Sequence, residues 1–221
     1  MTEVAVILSG CGYLDGAEIR ESVLALLYLD ERETNVTVFA PDINQHHVIN
    51  HLTQQEVYET RNVLVESARI ARSSIQDLAQ LRADDFDALI IPGGYGVAKN
   101  LSDLASNGKN ATLLPDFANA MIRFHAQQKP IGAICITPAV LSLALKNSGA
   151  QLTIGDDEST AAVITEVGCT HVNAGSAEVV WDEKNRIASC SAYMREDRIS
   201  EIAKGIKAVI DHVIDLAKSK K

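Results

Sequence analysis

The chain has 221 residues, 47% hydrophobic, 22% charged and 5% aromatic, a composition that excludes disorder and supplies one sizeable core, so a single domain over residues 1–221 is expected. Its net charge is −9, and its basic residues bunch only at Lys218, Lys220 and Lys221. That leaves no surface for a polyanion, argues against nucleic acid, and lets those lysines complement the negative end of a C-terminal helix.

Val4 to Leu8 is a short β-rich run leading into Ser9-Gly10-Cys11-Gly12, and Glu18 to Leu29 then reads as an amphipathic helix. Val36 to Ala40 is a buried-type strand stopped by Pro41-Asp42, followed by the polar Asn44 to Thr53, which has no clear period and reads as a surface excursion. Thr60 to Arg72 carries apolar residues at helical spacing. Ala88 to Ile91 is a third strand, ended by Pro92-Gly93-Gly94-Tyr95-Gly96; Ser102 to Lys109 is a polar connection, and Pro115 to Gln127 a returning helix. A fourth strand, Ile131 to Ile134, runs straight into Cys135 and a helix from Pro138 to Leu145. Leu152-Thr153-Ile154, a helical Ser159 to Val167, a strand near His171 to Asn173, a hairpin through Val179 and Ile187, and a helix from about Ile199 complete the chain.

This alternation predicts an α/β sandwich with a mainly parallel sheet, whose ligands sit beyond the carboxyl ends of the strands. The functional loops are then those following the first, third and fourth strands. No apolar run reaches the roughly 18–20 residues that span a bilayer, and Met1-Thr2-Glu3 lacks a signal peptide's basic region. A cytoplasmic protein without a membrane partner is therefore expected. Cys11, Cys135, Cys169 and Cys190 show no C-x-x-C spacing and read as reduced thiols.

Cys135 stands where a buried strand meets a helix, so the N–H groups and positive dipole of that helix should favour its thiolate. Gly93 and Gly94 end the neighbouring strand and let backbone N–H groups approach an oxyanion, with Ile136 supplying another. For proton transfer the first strand-to-helix turn offers Asp15 and Glu18; Glu18 is preferred, since Asp15 serves equally to cap the helix near Ala17. The bland alternatives are dipole compensation for Glu18 and an inert buried thiol for Cys135.

The segments ILSGCGYLDGAEI (7–19), NHLT (50–53), TRNVLVESARIAR (60–72), LIIPGGYGVAKNLS (89–102), KPIGAICITPA (129–139), LTIG (152–155) and SAYM (191–194) resemble the ElbB or isoprenoid-biosynthesis-associated family across nearly the whole chain. That family is grouped with the ThiJ/PfpI proteins in the class I glutamine amidotransferase-like superfamily. The resemblance implies a flavodoxin-like sandwich, frequent homodimerisation and a weak glutathione-independent glyoxalase activity, with Cys135 and Glu18 as catalytic pair and small aldehydes (glyoxal, methylglyoxal) as substrates. It implies no metal and no organic cofactor. Two departures stand out: Ile136 occupies the position where many relatives carry His, and His171 is followed two residues later by Asn173 rather than the carboxylate of glutaminase relatives.

Gly10-Cys11-Gly12 with Gly16 nearly spells a dinucleotide fingerprint, but the third glycine falls one residue late and Asp15 in its place would repel pyrophosphate. His46, His47 and His51 include an i, i+4 pair but lack a completing Glu or Cys for zinc. Cys11, Asn100 and His171 are secondary pocket candidates, set against a buried loop thiol, a helix cap and a structural histidine. Competing functions are a thiol redox sensor with little turnover and a partner-binding subunit linked to isoprenoid metabolism.

Overall fold

The computed structural model describes residues 1–219, so Lys220 and Lys221 of the basic tail lie outside the described residues. In chain order the elements are β1 (Glu3–Ile7), α1 (Ile19–Glu31), β2 (Asn35–Ala40), β3 (Val48–Asn50), β4 (Gln55–Val57), α2 (Val63–Ile70), β5 (Gln76–Asp77) and β6 (Ala88–Ile91). There follow α3 (Tyr95–Lys99), α4 (Leu104–Asn107), α5 (Pro115–Ala126), β7 (Ile131–Ile134), α6 (Thr137–Ala144), β8 (Gln151–Leu152) and α7 (Glu158–Glu166). The last elements are β9 (Thr170–His171), β10 (Val180–Asp182), β11 (Ile187–Cys190) and α8 (Ile199–Ser219).

A seven-stranded sheet runs β10-β11-β7-β6-β1-β2-β5, parallel throughout except for the antiparallel β10–β11 edge pair. The expected α/β flavodoxin-like sandwich is therefore the observed fold. Its central strands are unbroken apolar runs because helices cover both faces: Val4, Ala5, Val6, Ala88, Leu89, Ile90 and Ile131 are fully buried. On one face Phe117, Met121 and Phe124 of α5 pack with α6 and α7. On the other, α8 lays down Ile202, Ile206, Val209, Ile210, Val213 and Ile214 at helical spacing, against α1 and the sheet.

Strand order reverses at β1, with β2 on one side and β6 then β7 on the other. The loops after β1, β6 and β7 consequently converge at one point beyond the sheet's carboxyl edge, the crevice where such folds place ligands.

Local differences from the sequence reading have local causes. The helix expected over Thr60 to Arg72 is shortened to Val63–Ile70, because Asn62 takes the N-cap, accepting from Val65 N–H at 3.0 Å, and Arg72 and Ser73 adopt positive φ just beyond the C-terminus. The excursion Asn44 to Thr53 contains β3, which pairs antiparallel with β4 in a separate hairpin. The polar connection Ser102 to Lys109 holds the short α4, anchored by buried Leu104.

Candidate functional site

Cys135 has φ +64°, a left-handed conformation that costs an L-residue on the order of 1–3 kcal/mol and is kept only where packing imposes it. Here β7 imposes it: Cys135 N–H still bonds Cys190 carbonyl at 2.9 Å, continuing the sheet, while Ile136 already has αR geometry. The N–H groups of Gly94 and Ile136 both point at the Cys135 sulfur, favouring a thiolate.

Gly93 is compelled by proximity. A Cβ there would lie 2.4 Å from the Cys135 Cβ and 2.9 Å from Glu21 Oε2. Gly94 has φ +99°, and a Cβ on it would meet Glu18 N at 2.4 Å.

The carboxyl in hydrogen-bond contact with Cys135 is that of Glu21. It is fully buried, its Oε2 accepting Gly93 N–H at 2.9 Å and its Oε1 accepting Tyr193 N–H at 3.2 Å. The ends of β6, β7 and β11, adjacent strands of one sheet, thus surround one carboxyl. Burial pushes its pKa up to about 8, helped by neighbouring Glu18 and opposed by its hydrogen bonds with Cys135, Tyr193 and Gly93.

Cys135 does not have the readily ionised thiol expected from its helix N-terminus. Burial first, then the Glu21 charge and their hydrogen bond, push it well above the ordinary thiol range, outweighing the N–H groups of Gly94 and Ile136. The two groups titrate as a pair: ionised Glu21 repels a thiolate, whereas protonated Glu21 can donate to one.

Glu18 stands at the first strand-to-helix turn. It is the N-cap of α1, its Oε2 accepting Glu21 N–H at 2.6 Å, and its own N–H donates to Gly93 carbonyl at 2.9 Å. It nevertheless lines the cavity beside Cys135, and burial raises its pKa against the opposing Glu21 N–H bond and Arg20 charge. Reading the sequence alone missed Glu21. In the structure it shares the buried face of α1 with Ser22, Ala25 and Leu29, an acid shielded from water on that face.

Cys135, Ile136, Gly94 and Glu18 line a cavity of about 550 Å³. Tyr13, Tyr95 and Tyr193 also line it, together with Leu104, Ala105, Val163 and the start of α7. The three secondary candidates lie elsewhere than on this lining. Cys11 is half-buried, its thiol pKa raised by burial and by Glu66. Asn100 is a buried pin, its Nδ2 donating to the Ser9 and Asp15 carbonyls, each at 2.9 Å, and its Oδ1 accepting His46 N–H at 2.8 Å. His171 accepts Ile154 N–H at 3.4 Å, steadying the loop after β8. Asp15 accepts Ile49 N–H at 2.8 Å and so holds the β3–β4 hairpin instead of capping α1. Among the described residues no group of three or more His, Cys, Asp or Glu is placed to hold a metal ion, and no helix is long and apolar enough to cross a membrane.

The DJ-1/PfpI family model matches residues 11–205. The chain is 40% identical to the rat ES1 protein homolog, mitochondrial, over 96% of this chain and 83% of the relative. It is also 40% identical to human glutamine amidotransferase-like class 1 domain-containing protein 3, mitochondrial, over 96% and 82%. The crystal structure of an isoprenoid biosynthesis protein with amidotransferase-like domain from Ehrlichia chaffeensis superposes with a TM-score of 0.91 at 46% identity, covering 97% of this chain and 99% of that one. The Drosophila melanogaster DJ-1beta structure shares the fold at a TM-score of 0.59 and 19% identity, over 99% and 97%. These relatives correct one expectation: the curated ones are named mitochondrial, and the cytoplasmic assignment drawn from the N-terminal residues does not stand.

Proposed function

The chain belongs to the DJ-1/PfpI family, and from that premise we propose that it is a cysteine-dependent, glutathione-independent glyoxalase-type enzyme converting α-oxoaldehydes to 2-hydroxy acids. The observation that carries this reading is the contact between a buried carboxyl and an elbow cysteine that lines a cavity.

In the proposed reaction the Cys135 sulfur adds to the aldehyde carbon while the thiol proton passes through Glu21 to the carbonyl oxygen, giving a hemithioacetal. The N–H groups of Gly94 and Ile136 take up the negative charge that develops. Glu18, facing the cavity, removes the proton on the former aldehyde carbon; the electron pair enters the bond to the adjacent ketone carbon, whose oxygen is protonated. Reprotonation at that second carbon and loss of the hydroxyl proton from the first leave a thioester. One carbon is oxidised as its neighbour is reduced, so no external oxidant is needed. Water then cleaves the thioester to the 2-hydroxy acid and restores the thiol: lactate from methylglyoxal, glycolate from glyoxal.

Glutamine hydrolysis has weaker support. His171 is followed two residues later by Asn173 where glutaminase relatives carry a carboxylate, and among the described residues no lysine, arginine or histidine lines the cavity to receive the carboxylate of an amino acid. A redox sensor calls for a low-pKa, accessible thiol, and burial moves Cys135 the other way.

The test is product formation from methylglyoxal and glyoxal without glutathione, in the wild type and in Cys135→Ala, Glu21→Gln and Glu18→Gln. Lactate and glycolate should appear and be lost with Cys135→Ala; formation at the same rate in that variant, or none above the spontaneous background, would overturn the reading.

A further inference from the structure

We infer that the natural substrate carries an uncharged apolar group on the carbonyl unit, seated against the Leu104, Ala105 and Val163 lining of the Cys135 cavity. The inference rests on Cys135 as the reacting group and goes further by naming the substrate class.

Size is the first argument. Liquid water occupies about 30 Å³ per molecule, so a three-carbon dicarbonyl fills on the order of 100–150 Å³. The cavity holds about 550 Å³, within the range of pockets that enclose much larger ligands. A small aldehyde bound at Cys135 would leave most of the wall facing water.

The chemistry of that wall is the second argument. Leu104, Ala105 and Val163 present hydrocarbon, and Tyr95 adds an aromatic ring. The polar groups at the start of α7 are already engaged: Asp157 Oδ1 accepts Thr160 N–H at 2.7 Å and Ser159 Oγ–H at 2.8 Å. These bonds hold the Asp157 carboxyl below the usual carboxylate range, so it stays ionised and repels an anionic tail.

The nearby cations are also committed. Lys99 lies 4.6 Å from the Tyr95 ring centroid and donates to Leu14 carbonyl at 3.4 Å, and Arg20 donates to the Tyr193 hydroxyl at 3.2 Å. Neither lines the cavity. A neutral apolar tail gains from burial here, whereas a carboxylate would meet Glu18 and Asp157 without a counter-ion.

Two measurements test the proposal. The first is kcat/KM for phenylglyoxal relative to methylglyoxal in the wild type and in Ala105→Trp, which adds bulk to that lining from an exposed position on α4. The second is the alkylation rate of Cys135 by N-benzylmaleimide relative to N-methylmaleimide, followed by the mass of the peptide that contains Cys135 and divided by the same ratio for glutathione. Both wild-type ratios should exceed about tenfold and shrink in Ala105→Trp. A normalised alkylation ratio near one, or one unchanged by the tryptophan, overturns this inference whatever the turnover. Selective alkylation without turnover of either dicarbonyl would uphold the apolar pocket and overturn the glyoxalase reading instead.

Discussion

The carboxyl of Glu21 meets the thiol of Cys135 while its two oxygens accept the N–H groups of Gly93 and Tyr193, so the contacts that fix its position also oppose the rise in pKa that burial imposes. Replacing the acid by its amide removes the charge that raises the Cys135 pKa. In Glu21→Gln the thiol should therefore titrate at lower pH than in the wild type, measured by thiolate absorbance, with Cys135→Ala as the blank. Turnover should nonetheless fall by about 10²–10⁴-fold, because the amide cannot relay a proton. A more ionised yet less active enzyme separates proton relay from simple thiolate supply; unchanged titration would show that the Glu21 charge does not reach the sulfur.

Stability should carry the mark of the same buried acid. The Glu21 pKa is raised from an ordinary 4.5 to about 8, so between those values the folded state keeps a proton that the unfolded state has released. The contribution is intact below about pH 4.5, declines through the window and is fully lost above about pH 8, a change on the order of a few kcal/mol at most. His47 and His171, their pKa values lowered by burial, act oppositely as pH rises towards 6.5. Comparing the wild type with Glu21→Gln isolates the acid: the variant should lose less stability between pH 5 and 8, read as urea midpoints. Parallel curves would contradict the assignment.

The parts of this site that were legible in the sequence are those made by neighbours in the chain. A buried run ending in Ile134-Cys135-Ile136 before a helix, and another ending in Gly93-Gly94, specify an elbow and a close backbone approach from local chemistry alone. Glu21 was hidden because its role depends on which face of α1 turns inward. Ile19, Val23 and Leu27, spaced four apart, advertise an apolar face, yet all three are exposed, while Glu21, Ser22, Ala25 and Leu29 are buried. Only the packing of α1 beside α8 and the sheet decides between those faces. The same holds for Asp15 and Asn100, whose partners lie distant in sequence.

Glu18 tests whether an N-cap can also be a base. Glutamine there retains a side-chain oxygen to accept Glu21 N–H, so Glu18→Gln should cost less than about 1 kcal/mol in urea unfolding. The proton on the hemithioacetal carbon would have no acceptor. Turnover should drop while alkylation of Cys135 by iodoacetamide stays near the wild-type rate. Equal losses in both assays would mean that Glu18 only positions the loop.

Gly93→Ala should damage folding and chemistry together. The added methyl would sit 2.4 Å from Cys135 Cβ and 2.9 Å from Glu21 Oε2, so it must part the pair it touches. Overpacking of this kind costs about 1–3 kcal/mol. A matching fall in urea midpoint, with kcat reduced at least about a hundredfold, is expected; retention of wild-type kcat would show that the contact between Cys135 and Glu21 is dispensable.

Asn100 supports the cavity without touching it, and the two ends of its amide make the test specific. Asn100→Ala leaves the Ser9 and Asp15 carbonyls and His46 N–H without their partner, a loss of about 1–3 kcal/mol. Because the loop it pins carries Tyr13, which borders the cavity, KM should rise more than kcat falls. Asn100→Asp keeps the acceptor for His46 but sets a carboxylate oxygen against two carbonyl oxygens. It should be less stable than the alanine variant at pH 8 and recover as the pH is lowered and the carboxyl gains a proton to donate. If the aspartate variant matched the alanine one at every pH, the donor half of the amide would not be what holds the loop.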